Sequence, residues 1–184
     1  MKILLTSFDT WEAHQQSNSS DDLLNALIER KVLCDDCYFL KKILVDFEVA
    51  PQTVIDQITK LEPELVICCG MAESRPFLSV ESTGTHLGET WNIELDLEML
   101  LEGTRCPPHI SQEVATRVSH DAGNFVCNYL YYSVLKHSQE QNPNYRCLFI
   151  HVPVLTDDNL ETVIHDFLAI VQNSKRQLLL LEQR

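Results

Sequence analysis

The chain has 184 residues, 45% of them apolar and 22% charged, and a formal net charge of −13. That length suits one compact domain with a full hydrophobic core, so residues 1–184 are read as a single domain. The acidic balance, with no cluster of Lys and Arg, excludes a nucleic-acid partner, which needs a basic face to displace counterions.

In chain order, Lys2 to Thr6 reads as a buried strand. Its apolar run is too short for a signal peptide, and no later segment is long enough to span a bilayer. A cytoplasmic protein without a membrane partner is therefore expected. Asp21 to Arg30 reads as a helix with Ser20 as N-cap, two acids in the first turn, and Leu23, Leu24, Leu27 and Ile28 on one face. Tyr38 to Val45 is a second strand, and Pro51 sits in the first turn of a helix running to about Leu61. Glu64 to Cys69 is a third strand, ended by Gly70.

From Met71 to Ile110 the pattern weakens. A strand is expected near Phe77 to Glu81, then a polar, glycine-bearing stretch from Ser82 to Thr90, and a loop at Pro107-Pro108. Ala115 to Ser119 reads as a strand, Asn124 to Ser138 as a helix, and Arg146 to Val152 as a strand ending at Pro153. Thr156 is expected to cap the last helix, whose apolar stripe runs through Leu160, Ile164, Phe167, Leu168 and Val171. Such alternation predicts an α/β fold with a mostly parallel sheet and helices on both faces. Sites in such sheets lie at the carboxyl ends of the strands. Ser7-Phe8, Gly70-Met71, His151 and the Cys127 segment all fall at that edge.

Three side chains there could carry chemistry. Cys127 follows the turn Ser119 to Asn124 and lies near the start of a helix. Unpaired N–H groups at that position favour a thiolate, lower its pKa and could hold an oxyanion. The competing reading is a buried cysteine on an apolar helix face. His151, a polar ring at the end of an apolar strand, could serve as a general base, or be held by a backbone carbonyl. Glu81, at the end of an alternating strand, could orient an imidazole, or be solvated.

The seven cysteines are Cys34, Cys37, Cys68, Cys69, Cys106, Cys127 and Cys147, an odd number expected to be thiols, mostly buried. Cys34-Asp35-Asp36-Cys37 has redox or zinc spacing, but it precedes a strand rather than opening a helix, and Cys68-Cys69 are poorly placed to complete a zinc site. His14, His86, His109 and His120 show no paired spacing, so no metal is expected. Five glycines form no phosphate-binding loop, and no cofactor is expected.

Phe125-Val126-Cys127-Asn128 after Ala122-Gly123 resembles the cysteine signature of the pyroglutamyl peptidase I family, and Phe149-Ile150-His151-Val152-Pro153 resembles its histidine signature. Gly70-Met71-Ala72-Glu73-Ser74-Arg75 with Leu78-Ser79-Val80-Glu81 resembles the stretch leading to its glutamate, and Lys2 to Phe8 its first strand. The resemblance reaches to about Val171. It implies a three-layer α/β/α cysteine peptidase that needs no metal and removes an N-terminal pyroglutamyl residue from small peptides with a blocked N-terminus. Cys127 would be the nucleophile, His151 the acid/base and Glu81 the orienting acid. Phe8, Trp11, Phe125 and Val126 would pack on the pyrrolidone ring, with the backbone at Met71 bonding the lactam.

The sequence also departs from that family. Asp9-Thr10-Trp11-Glu12-Ala13 replaces a loop with a proline, an aromatic and two glycines, so another loop path is expected. Met71 replaces a glutamine, Ser82 an arginine and His86 an asparagine, while Trp91 stands near the place of another arginine. Trp11 and Trp91 are expected to narrow or reshape the slot. The segment between Glu81 and Cys127 is short, which leaves a homo-oligomer open. The alternative to pyroglutamyl turnover is a noncatalytic or specificity-shifted homologue that binds a small N-terminal group.

Overall fold

The computed structural model describes residues 1–104, 116–141, 144–181 and 183. The readings at Cys106, Pro107-Pro108, His109, Ile110 and Ala115 lie outside the described residues. Strands and helices alternate as the sequence predicts through β1 (Ile3–Phe8), α1 (Ser19–Glu29), β2 (Cys37–Ile43), α2 (Val49–Leu61) and β3 (Leu65–Met71). Then come three short strands, β4 (Ser79–Glu81), β5 (Thr83–His86) and β6 (Glu89–Asn92), and α3 (Leu97–Leu100). The chain ends with β7 (Arg117–Ser119), α4 (Val126–Lys136), a π-helical turn over His137–Gln141, β8 (Arg146–Val152) and α5 (Leu160–Leu181).

Six strands form one sheet in the order β2-β1-β3-β8-β4-β7. Every neighbouring pair is parallel except β4 with β8. Strands β1 and β3 are buried along their whole length, as central parallel strands must be when helices cover both faces. The two-residue alternation of a strand divides the core. Ile3, Leu5, Ile67, Cys69, Leu148 and Ile150 pack with α1 and α5, whereas Leu4, Val66, Cys68, Cys147 and Phe149 pack with α2 and α4. The result is a three-layer α/β/α sandwich with a mostly parallel sheet.

Local differences from the sequence reading have physical causes. The N-cap of α1 is Asn18, not Ser20. Asn18 has extended backbone, and its Oδ1 accepts both the N–H and the hydroxyl of Ser20, which lies buried in the first turn. Gly70 does not end β3, because β8 continues to pair through Gly70–His151 and Met71–Val152. Thr156 starts a turn rather than capping α5: its carbonyl accepts from Leu160, and its N–H donates to Asn159 Oδ1.

The polar stretch after Glu81 folds as a β5–β6 hairpin, with Leu87 (φ 49°) and Gly88 (φ 84°) in its turn. Two successive positive φ angles match the twist of paired strands, and leucine is a residue that pattern reading does not associate with them. The hairpin lies directly on α4. Asn128 Oδ1 accepts from Thr85 N at 2.9 Å, and Nδ2 donates to Thr85 O at 2.7 Å, so one side-chain amide extends the hairpin's hydrogen bonding. Among the described residues, no helix is long and apolar enough to cross a membrane.

A Cβ added at Gly84 would lie 2.5 Å from Tyr132 N and 2.7 Å from Tyr132 Cα, where no flexible group can yield. Gly84→Ala is expected to lower stability by about 1–3 kcal/mol, read as a reduced urea midpoint. An unchanged midpoint would contradict this packing of hairpin on helix.

Candidate active site

Residues 147, 149 and 151 of β8 share the face that meets α4. Cys147 and Phe149 fill the core there, and His151 continues the row to the carboxyl edge of the sheet. In the antiparallel β4–β8 pair, Glu81 stands opposite Phe149 and Ser79 opposite His151. Glu81 is therefore diagonal to His151 on the same face, within reach of its ring. His151 Nδ1 donates to Glu81 Oε1 at 2.7 Å, and both side chains are buried, at 5% and 0% exposure. With Nδ1 committed, Nε2 is the nitrogen left for the cavity that His151 lines. The rings of Phe149 and His151, 4.9 Å apart between centroids, further limit rotation of the imidazole.

Arg75 donates to the same Glu81 oxygen through Nη1 and to Asp121 O through Nη2 at 2.8 Å. It ties the carboxylate to the loop that leads into α4. Burial raises the pKa of Glu81, but the hydrogen bonds from His151 and Arg75 outweigh it, so the net shift is downward. Glu81 is thus a buried carboxylate held in its charged form by donors.

Cys127 is the second residue of α4, after the N-cap Phe125 with its extended backbone. The sulfur sits beside Gly70. A Cβ there would come within 2.8 Å of Cys127 Sγ and 2.9 Å of Phe149 Cζ, so glycine makes room for the thiol. The expectation of a lowered thiol pKa is overturned. Burial is the main cause that pushes the Cys127 thiol up, to about 12; the Glu81 and Cys68 charges add to the rise, against the helix-start N–H and Arg75. The residue as a whole is only half-buried, so the sulfur is deep while the site stays open from one side.

Cys127 and His151 line one cavity of about 200 Å³ with Phe8, Trp11, Met71, Phe125, Asn18, Val45 and Ala122. Trp11 and Phe125 meet across its mouth with ring centroids 5.9 Å apart. Of the predicted ring-packing residues, Val126 does not line this cavity; it points into the core at 1% exposure, because the helix turns it onto the sheet. Asn18, Val45, Ala122 and Arg75 were not singled out from sequence. Ala122 and Arg75 stood only as parts of quoted motifs, and Asn18 carried a local signal as a cap residue ahead of Ser19-Ser20-Asp21. A larger hollow of about 270 Å³ lies beyond Phe125 and contains neither Cys127 nor His151.

A sequence profile described as pyroglutamyl peptidase matches residues 109–167, the stretch holding Cys127 and His151. The chain is 28% identical over 179 residues to a pyrrolidone-carboxylate peptidase of Brachyspira hyodysenteriae, covering 88% of this chain and 87% of that protein. With the enzyme of the same name from Bacillus subtilis, identity is 26% over 87% of this chain and 81% of that protein. The chain thus resembles pyroglutamyl peptidases over most of its length, at identities below 30%. Its fold matches solved structures of two such proteins. Pyroglutamyl peptidase I of Bacillus amyloliquefaciens superposes with a TM-score of 0.76 at 19% identity, over 94% of this chain and 93% of that one. A mutant pyrrolidone carboxyl peptidase of Pyrococcus furiosus gives 0.78 at 18%, over 97% and 100%.

The departures from the family pattern now have structural descriptions. The loop from Asp9 to Ala13 is shaped by side chains instead of glycines. Gln15 Oε1 accepts from Trp11 N and Glu12 N, and Asn18 Nδ2 donates to Asp9 O. Met71 Sδ accepts from Ser19 N at 3.4 Å, drawing the thioether to the start of α1. Ser82 Oγ pairs with His120 Nδ1 at 2.7 Å, and His86 lies against Tyr129 and Tyr132, away from the 200 Å³ cavity. Trp91 pairs with Gly84 in the hairpin and packs on the α4 core, so of the two tryptophans only Trp11 shapes the cavity.

A thiol held near pKa 12 is ionised on the order of 10⁻⁴ at pH 8, so its direct alkylation is slow. Iodoacetamide labelling of Cys127, followed by peptide mass mapping, is expected to rise about tenfold per pH unit through pH 10. A plateau near pH 8 would indicate a preformed thiolate.

Proposed function

We propose that this protein is a cysteine peptidase that removes an N-terminal pyroglutamyl residue from small peptides, with Cys127 as nucleophile, His151 as acid/base and Glu81 as the orienting acid. The observation that carries the reading is the joining of a buried Glu81–His151 hydrogen bond to a small apolar cavity that also holds Cys127. A cavity of about 200 Å³ lies below the range usual for drug-sized ligands and suits one small ring. Phe8, Trp11 and Phe125 give that ring flat apolar walls. The Asn18 amide is engaged at both ends, its Oδ1 by the start of α1 and its Nδ2 by Asp9 O, so polar recognition of the lactam falls to backbone groups, including those at Met71.

In this mechanism the thiol starts protonated, in keeping with the raised pKa of Cys127. As Sγ attacks the carbonyl carbon, His151 Nε2 takes the thiol proton and Glu81 stabilises the imidazolium. Backbone N–H groups in the first turn of α4 receive the oxyanion. The imidazolium then protonates the departing amine, and water, activated by the same ring, releases the acyl group. The substrate is a peptide whose blocked N-terminus lacks an ammonium, which matches walls without a carboxylate at the ring. A reducing, cytoplasmic setting suits the free thiol on which this chemistry depends.

A specificity-shifted reading has one observation in its favour: Met71 offers a thioether, occupied by Ser19, where an amide could address the lactam. Hydrolysis of a pyroglutamyl-linked fluorogenic amide by the reduced protein separates the readings. Cys127→Ala and His151→Ala are each expected to lower kcat by roughly 10³-fold or more, and Glu81→Gln by on the order of 10²- to 10⁴-fold. Activity surviving Cys127→Ala would sink the assignment of the nucleophile. No wild-type turnover alongside labelling of Cys127 by iodoacetamide would favour the shifted specificity. Gly70→Ala displaces the sulfur from its seat and is expected to reduce kcat about 10²-fold with a smaller change in KM.

A further inference from the structure

A second thiol site lies at the opposite edge of the sheet, where the turn after α1 enters β2. Cys37 is the first residue of β2, while the cavity above sits at the strands' carboxyl ends. Cys37 N donates to Cys34 O at 3.1 Å, closing a turn that puts both side chains on one side, with Sγ atoms 3.2 Å apart. Lys175 reaches this pair from α5, its Nζ 3.6 Å from Cys34 Sγ. The turn is anchored elsewhere as well: Asp36 O accepts from Ile3 N, and Asp36 Oδ2 lies 3.7 Å from the N-terminal ammonium. Cys34 is exposed and Cys37 half-buried.

We propose that Cys34 and Cys37 are a dithiol that undergoes exchange with low-molecular-weight disulfides, Cys34 attacking and Cys37 resolving. The sequence motif alone pointed equally to zinc. Among the described residues no group of three or more His, Cys, Asp or Glu side chains is arranged to hold a metal, whereas a lysine is in contact with the outer sulfur. The two thiols are also unequal. Partial burial opposes ionisation of Cys34, but the hydrogen bond with Cys37 and the Lys175 charge outweigh it, and its pKa falls. Burial raises Cys37, to about 12, with Cys34 adding to the rise. An exposed sulfur whose ionisation is eased, beside a covered and protonated one, is the division of labour that exchange requires.

The chemistry balances as follows. Cys34 thiolate attacks one sulfur of the small disulfide; that S–S bond breaks, and one small thiolate leaves and takes up a proton. Cys37 then loses its proton and attacks Cys34 Sγ; the mixed disulfide breaks, and the second small thiolate leaves. Two protein thiols are oxidised by two electrons, and the small disulfide is reduced to two thiols. Lys175 stabilises the attacking anion and takes no covalent part.

The test uses the full chain with Cys106 and Cys127 replaced by Ser, equilibrated in oxidised and reduced glutathione at set ratios, acid-quenched, alkylated and mapped by mass. Cys34 and Cys37 are expected to lose alkylation together, with loss of two hydrogens from their peptide, and to regain it in excess reduced glutathione. Cys37→Ser is expected to stop at a glutathione adduct on Cys34. Lys175→Met should slow adduct formation at pH 7 by roughly threefold. Independent alkylation of the two sulfurs in fully oxidising buffer, with an unchanged circular dichroism spectrum, would overturn the dithiol. An unaltered rate in Lys175→Met would overturn the role of the lysine.

Discussion

The arrangement of the candidate site depends on the hydrogen bond between Glu81 and His151, and that bond depends on one reversed strand. β8 lies in the middle of the sheet, parallel to β3 on one side and antiparallel to β4 on the other. Antiparallel pairing starts β4 beside the end of β8 and runs it back to Phe149, so the third residue of one short strand lies diagonal to the sixth of the other. Side chains on a common face at a diagonal offset are near enough to touch when they are long. Glutamate and histidine satisfy that condition, and burial of both side chains makes leaving either one unpaired costly.

Burial pushes both acids of the site the same way, toward the protonated form, yet the outcomes differ. The Glu81 carboxylate is compensated by His151 and Arg75, and stays charged. The Cys127 thiol has its own N–H and a more distant Arg75, but it also feels the Glu81 charge, and it stays protonated. Placing a sulfur at the start of a helix is therefore insufficient to make it a resting thiolate where desolvation is strong. The consequence for chemistry is a thiol that must give up its proton as the bond forms. Gly70 serves the same geometry by omission: the sulfur occupies the space a Cβ would take.

Much of the framework was legible in the residues. Central parallel strands are continuous apolar runs, so β1, β3 and β8 stand out from Ile3-Leu4-Leu5, Leu65 to Cys69 and Leu148 to Ile150. Less was legible where structure rests on partners distant in sequence. The β5–β6 hairpin turns on a leucine at positive φ and is held by the Asn128 amide, and neither signal belongs to its own segment. The same limit applies to Val126, beside the cysteine in sequence but rotated into the core, and to Trp91, absorbed by hairpin packing. Arg75 was visible only as part of a motif. Its contact with Glu81 and Asp121 needed the fold.

By itself the sequence determined the layer order and the edge of the sheet at which polar side chains gather, because period and punctuation are local properties of the chain. It also carried the family resemblance, through short runs around the cysteine and the histidine. Only the tertiary structure decided which nitrogen of His151 is committed, which aromatic rings enclose the cavity, and that desolvation overrides the helix start at Cys127. Those outcomes are set by distances and by exclusion of water among residues far apart along the chain, and neither quantity exists until the layers pack.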